Sequence, residues 1–240
     1  MAEDLLETIG QLFGSIKGGL AIAVVLVGAM LAATTGVVSA SVISMGLISL
    51  PIMLRYGYDR RLASGIIAAS GTLSQIIPPS LVLIILADQL GRSIGDMYRG
   101  AILPGFILAG AYIVYVIVMT LIKPNSAPAL PPEARAFHEP NGTRGGRSLL
   151  VLMVLAAVSA YLVGDWIEPE TAPVDERIVL TMLIWGLTAF VIAIVNRIFK
   201  LGLLSQLAER VTFVMIPPLA LIFLVLGTIF IGVALSLIHI

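Results

Sequence analysis

LASGIIAASGTLSQIIPPSLVLIILADQL, residues 62–90, is the stretch on which the fold turns. It is apolar over more than the roughly 20 residues that a helix needs to cross a hydrocarbon core about 30 Å thick. It is also broken, by Gly71-Thr72 and by Pro78-Pro79-Ser80. A Pro-Pro pair removes two amide donors and clashes with the preceding turn. The pattern predicts a discontinuous helix, 62–77 then 80–90, that crosses a membrane once. Irregular backbone at membrane depth survives only where protein or a water-filled cavity surrounds it. The break therefore implies neighbouring helices, and points to an all-α integral membrane protein with several spans.

Upstream, residues 19–54 are apolar throughout and too long for one comfortable span. Their middle, Thr34-Thr35-Gly36-Val37-Val38-Ser39-Ala40-Ser41, is small and hydroxyl-rich. It would divide the run into halves of about 15 and 13 residues, each short of a crossing. A re-entrant helical hairpin over 18–54 follows. A single tilted helix with an interfacial one is the alternative. Residues 1–17 form an amphipathic arm. Leu5, Leu6, Ile9, Leu12, Phe13 and Ile16 share one face, with Glu3, Asp4, Glu7 and Gln11 opposite. Such a helix suits an interface plane, or serves as a water-facing connector.

Downstream, 91–98 is a polar connector and 100–122 a long span, so that 55–122 holds the broken helix and the span after it. Residues 123–147, rich in Pro, Gly and Ala, form a hydrophilic loop. Two spans follow within 148–196, then an amphipathic arm at 197–211. A last apolar stretch, 212–234, contains Pro217-Pro218.

Composition agrees. The 240 residues are 59% hydrophobic and 12% charged, against roughly 25% charged in soluble domains. Lipid bilayer must cover what water cannot. A net charge of zero gives no support for nucleic acid. The absence of cysteine excludes a disulfide framework, thiol chemistry and cysteine-ligated metal. Lys and Arg in short loops favour the cytoplasm. They cluster in 55–61, 123–147 and 197–211, whereas 165–176 carries Asp165, Glu168, Glu170, Asp175 and Glu176 and no base. With the basic regions inside, the hairpin starts and ends inside and the remaining spans alternate. The loop 123–147 is then cytoplasmic. Arg92 and Arg99 fall on the outer side against this rule.

A buried ionisable group in a membrane is a functional hypothesis by default. Residues 19–54 contain none, and 62–90 contain only Asp88, near an end. Proton relays are poorly supported, and Asp88 reads as an interfacial cap or as a contact to substrate or a partner. No catalytic constellation and no phosphate loop is present, so an enzyme is not expected. What remains is hydroxyls beside broken backbone: Thr34, Thr35, Ser39, Ser41 and Ser44, with Ser70, Thr72, Ser74 and Ser80. Hard cations such as sodium take oxygen ligands. Unwound carbonyls and helix C-termini supply them, and helix N-termini can face an anion. Ordinary helix packing by small and hydroxyl residues is the competing reading.

Gly18-Gly19-Leu20-Ala21, the hairpin tip, and Pro51 with Arg55-Tyr56-Gly57-Tyr58-Asp59 resemble the large membrane subunit of TRAP transporters, the DctM-like permeases. Ala68-Ala69-Ser70-Gly71-Thr72-Leu73 with Ile76-Ile77-Pro78-Pro79-Ser80 resembles that family's most characteristic segment. Ser93-Ile94-Gly95-Asp96 and Gly100-Ala101-Ile102-Leu103-Pro104-Gly105 continue the pattern, over about residues 15–110. The Thr35-Gly36-Val37-Val38 tip is similar to the branch once labelled mannitol or chloroaromatic, a label that names no substrate here.

The resemblance implies an elevator-type permease of the bacterial inner membrane. A periplasmic substrate-binding protein delivers an organic anion, often a carboxylate or dicarboxylate. Sodium ion is the coupling ion, and a small four-helix TRAP membrane subunit is a partner. It implies sodium and substrate binding at Thr34, Thr35, Gly36, Ser39 and Ser41 in the tip, and at Gly71, Thr72, Pro78, Pro79 and Ser80 in the break. Ser39 stands where this branch often has glycine. The family carries an inverted repeat with a second hairpin and a second broken helix, so 212–234 reads as the start of a second-repeat span. Leu235-Ser236-Leu237-Ile238-His239-Ile240 matches the translation of a transposase adapter used in library preparation. Those residues are expected to be a sequencing artefact on a chain truncated at both ends, one that does not transport alone. The open alternatives are a stand-alone sodium/anion symporter with inverted repeats, and a membrane scaffold.

Overall fold

A computed structural model describes residues 2–131, 146–167, 174–199 and 204–230. The described residues are helical with no strands, and four of the helices are long and apolar enough to cross a membrane. The protein is an all-α integral membrane protein. It divides into two compact units, residues 1–136 and 137–240.

The first unit holds α1 (Ala2–Phe13), α2 (Gly19–Thr35), α3 (Val38–Arg55), α4 (Arg60–Thr72), α5 (Leu81–Leu90) and α6 (Ile94–Ile122), with a 3-10 turn at Leu73–Gln75. Helix α2 is hydrophobic all round, the mark of a helix enclosed by other apolar matter. Leu20, Ala21, Ala23, Val24, Val25 and Val27 are all buried. It packs against α1, α3, α4 and α6. It stops at Gly36, whose φ of +63° costs glycine nothing but strains an L side chain. After Val37 the chain turns back into α3. Leu20 at the start of α2 and Ile52 and Arg55 at the end of α3 line one small cavity. The two ends of the hairpin therefore meet.

The break at the tip is narrower than the sequence suggests. Only Gly36 and Val37 leave the helix, and Ser39 and Ser41 belong to the first turn of α3. Serine in a helix interior is only mildly unfavourable. Ser41, Met45, Ser49 and Met53 recur every four residues and form the buried stripe of α3. The Ser49 hydroxyl donates to the Met45 carbonyl.

Helix α4 begins at Asp59, whose Oδ1 accepts from the amides of Arg61 (2.8 Å) and Leu62 (3.1 Å). Its regular part ends at Thr72, five residues before the expected 77. The residue before a proline disfavours the helical region, and the 3-10 turn loosens the chain ahead of Pro78-Pro79. That peptide bond is cis. Ser80 then caps α5, which closes on Gly91 at φ +60° with Gly91 N–H bonded to Asp88 O and Arg92 N–H to Ala87 O. Helix α6 starts at Ile94, inside the expected polar connector, and runs through Pro104.

Two further expectations change in this unit. The arm at 1–17 uses its apolar stripe on protein: Leu5, Leu6 and Ile9 are at most 1% exposed, and α1 packs against α2 and α3. The loop after α6 is tied down over its first part. Ala127 O accepts from Gly18 N–H (3.0 Å), Ser126 O from Asp59 N–H (2.9 Å), and Leu130 N–H donates to Gly14 O (2.9 Å). Residues 132–145 lie outside the described residues.

The second unit is α7 (Gly146–Ile167), α8 (Val174–Phe199) and α9 (Gln206–Phe230) around Leu152, Ala156, Ala189 and Ile216. The expected arm at 197–211 is not an element of its own. Residues 197–199 end α8, and from Gln206 the chain is already the helix that contains Pro217-Pro218. A polar set holds this corner. Ser148 Oγ donates to Ser205 Oγ (2.7 Å), and Asn196 Nδ2 donates to Glu209 Oε1 (2.7 Å). Residues 231–240, with the expected artefact, lie outside the described residues.

Candidate functional site

The hairpin tip and the Pro-Pro break come together. A Cβ on Gly36 would stand 3.4 Å from Leu81 Cγ and 3.6 Å from Leu81 N, the first residue of α5. Between them lies a cavity of about 680 Å³, open on one side. Its walls include Gly36, Val37 and Ser39 from the hairpin and Gln75, Leu81 and Val82 from the broken helix.

Close helix approach makes this junction. A Cβ on Gly71 would fall 2.2 Å from Val42 Cγ2 and 3.2 Å from Val42 Cα. A Cβ on Gly28 would fall 2.7 Å from Ser70 Cβ. Helix α4 is therefore held against both arms of the hairpin by residues without side-chain bulk, as small residues do between membrane helices. On the far side α6 backs the break. Gly105 lies against Ile76 and Ile77, and Leu73 packs on Ala109 with Ile77 and Tyr112 around them.

The ten residues expected from sequence take different parts. Gly36 and Ser39 line the cavity. Thr34 is exposed near the tip, its Oγ1 donating to Leu31 O (2.9 Å). The Thr35 side chain lies outside the described residues. Ser41 is 1% exposed and belongs to the buried stripe, away from the cavity wall. Gly71 is buried as the contact between α4 and α3. Thr72 is exposed, its Oγ1 donating to Ala69 O (2.7 Å). Pro78 and Pro79 make the bend. Ser80, fully buried, is its knot. Its hydroxyl donates to Gln75 O (2.8 Å) and accepts from Leu83 N–H (3.4 Å).

Gln75 and Tyr98 escaped the sequence reading. Gln75 is an uncharged polar residue inside an apolar run, and that was the available signal. Tyr98 is 0% exposed, with its hydroxyl 3.2 Å from Ser80 O. Nothing in its sequence neighbourhood marks it. Asp88 is exposed, and its carboxylate meets the Gln89 side chain at 3.5 Å.

No charged side chain is among the described cavity walls. Among the described residues no group of three or more His, Asp or Glu could hold a metal ion. The polar side chains among the described walls are Ser39 and Gln75. The N-cap residue of α3, Val37, makes no side-chain cap bond, and the first turn of α3, at the positive end of the helix dipole, fronts the tip. The Thr34 and Thr72 hydroxyls, outside the cavity walls, donate to carbonyls of their own helices.

The family model described as "Tripartite ATP-independent periplasmic transporter, DctM component" matches residues 1–238. The chain is 34% identical over 131 residues to the C4-dicarboxylate TRAP transporter large permease protein DctM of Pseudomonas aeruginosa, covering 55% of this chain and 30% of that one. It is 38% identical over 120 residues to the protein of the same name from Vibrio cholerae, covering 50% and 26%. It is 30% identical over 115 residues to the isethionate TRAP transporter permease protein DctMQ of Oleidesulfovibrio alaskensis, covering 48% and 18%. The matched stretch thus spans less than a third of each relative's length. No solved structure matches.

Proposed function

The chain belongs to the DctM family of tripartite ATP-independent periplasmic transporters, and on that premise we propose that it is part of a membrane-translocating subunit that imports an organic anion with sodium. The observation that carries this reading is the junction of hairpin tip and Pro-Pro break, where Gly36 meets Leu81 beside a cavity walled by Ser39 and Gln75. The junction brings the start of α3, the Ser39 hydroxyl and the Gln75 side chain to one place, with no carboxylate among the described walls. Carbonyl and hydroxyl oxygens around Thr34, Thr72 and the 73–79 segment suit a weakly bound sodium ion. The start of α3, whose N-cap residue Val37 offers no side-chain acceptor, suits the anion.

Relatives with anionic cargoes in their names, C4-dicarboxylate and isethionate, support the substrate class. A periplasmic binding protein would deliver the anion, and a small membrane subunit would support the permease in the bacterial inner membrane. A relative named DctMQ is in keeping with such a subunit. Tip and break would travel together in an elevator-type movement, because the glycine contacts between α2, α3 and α4 leave little room for sliding.

The test is uptake of radiolabelled organic acids by proteoliposomes holding the full-length permease and its small subunit. Uptake that needs both a sodium gradient and the binding protein supports the proposal. Sodium-driven uptake without a binding protein replaces it with a stand-alone symporter. Uptake indifferent to sodium removes the coupling.

A further inference from the structure

Ser80 sits where the chain passes from irregular backbone (φ −122°, ψ 130°) into α5. Four hydrogen bonds converge on it. Its hydroxyl reaches Gln75 O and Leu83 N–H. Its carbonyl accepts Ile84 N–H at 3.2 Å, the first turn of α5, and the Tyr98 hydroxyl at 3.2 Å. The first three partners are local. Tyr98 belongs to α6, eighteen residues on. The next residue after Ser80 is Leu81, which lies against Gly36 at the tip.

We infer that Tyr98 is a positioning residue of the cation and anion site, acting through the Ser80 carbonyl on the contact between Leu81 and Gly36. This rests on the transport reading above. The physical reason is directional. Gly105 and Ala109 of α6 support the break by apolar packing, which resists approach but tolerates rotation. The buried Tyr98 hydroxyl fixes the angle at which α5 leaves the break. A buried tyrosine hydroxyl needs a partner, and this one finds it at the pivot. Losing the bond frees the first turn of α5 to tilt, and with it one wall of the cavity. The tip-to-break geometry that binds an ion then becomes one of several.

The conservative variant Tyr98→Phe keeps the ring and its packing and removes only the hydroxyl. Two readouts are taken on the full-length permease with its small subunit. Hydrogen exchange of the peptide covering 80–90 reads the local geometry whether or not the protein transports. The sodium concentration for half-maximal uptake, set against maximal rate, reads the site. In Tyr98→Phe the exchange at Leu83 and Ile84 is expected to rise about two- to ten-fold, the range one neutral hydrogen bond spans. Half-saturating sodium is expected to rise by a similar factor, with maximal rate little changed. Unchanged exchange at those amides overturns the inference. So does faster exchange with unchanged half-saturation, since the bond is then structural only. If uptake by the unaltered protein ignores sodium, the transport reading fails on its own. The exchange result and the half-saturating concentration of the organic acid then decide the role of Tyr98.

Discussion

The residues that matter most are those with the least side chain. Gly71 marks how closely α4 lies on α3. The Cβ of Gly71→Ala would overlap Val42 Cγ2 and crowd Val42 Cα. Overpacking of this kind costs about 1–3 kcal/mol. We expect a lower thermal midpoint and reduced uptake. Adding Val42→Ala should recover part of both, because the worst overlap is with a side-chain methyl. A second alanine that recovers nothing would mean that the backbone approach alone sets the limit. Tyr58, in the turn between α3 and α4, gives a test of another kind. Burial pushes its hydroxyl from 10.0 up to about 12, and the backbone at Leu20 and Ala21 offsets part of that. The folded chain holds this proton more tightly than the unfolded chain. Below pH 10 both hold it, and the full contribution is present. Between pH 10 and about 12 the unfolded chain releases it first, so stability falls as pH rises. Denaturation followed across that window should show a shallower loss for Tyr58→Phe than for the unaltered chain.

At the scale of elements, the hairpin and the broken helix are joined to a segment that reads in the sequence as plain loop. Residues 126–130 reach back to the α1–α2 and α3–α4 junctions through three backbone hydrogen bonds. Leu130, 6% exposed, packs where a Cβ on Gly14 would stand 2.6 Å from its Cδ1. Leu130→Ala should therefore destabilise by about 2–5 kcal/mol, as for other buried leucines, and raise protease cutting after Lys123. An unchanged midpoint would show the segment to be a passenger. The helices themselves were legible in the sequence, because length, apolarity and Pro-Pro act locally. So was the existence of a break at 71–80. The tip was legible only roughly: Ser39 and Ser41 looked like irregular backbone, but serine is tolerated in a packed helix, and glycine alone was needed for the turn. The tie at 126–130 was not legible, since three backbone bonds leave no side-chain signature. Tyr98 was hidden for a related reason. Its role depends on a carbonyl eighteen residues away, which periodicity cannot reveal.

At the scale of the molecule, the first unit gathers the tip, the break and their supports. Leu103, Phe106, Ile107 and Val114 on α6 remain more than half exposed, as expected of a face meant for lipid or for further protein. The second unit is a three-helix bundle with its polar corner at Ser148, Asn196, Ser205 and Glu209. For the first unit, sodium binding by tip and break through neutral oxygens is the proposal. Its most direct test is thermal unfolding of the full-length permease in sodium against potassium at equal ionic strength. Unaltered protein and Thr72→Val would be compared, with the fold of each checked in potassium. Ligand binding to the folded state raises the midpoint by mass action. The midpoint is expected to climb with sodium and not with potassium, and the shift to be largely lost in Thr72→Val. An equal sodium shift in the variant, or none in the unaltered protein, would contradict it.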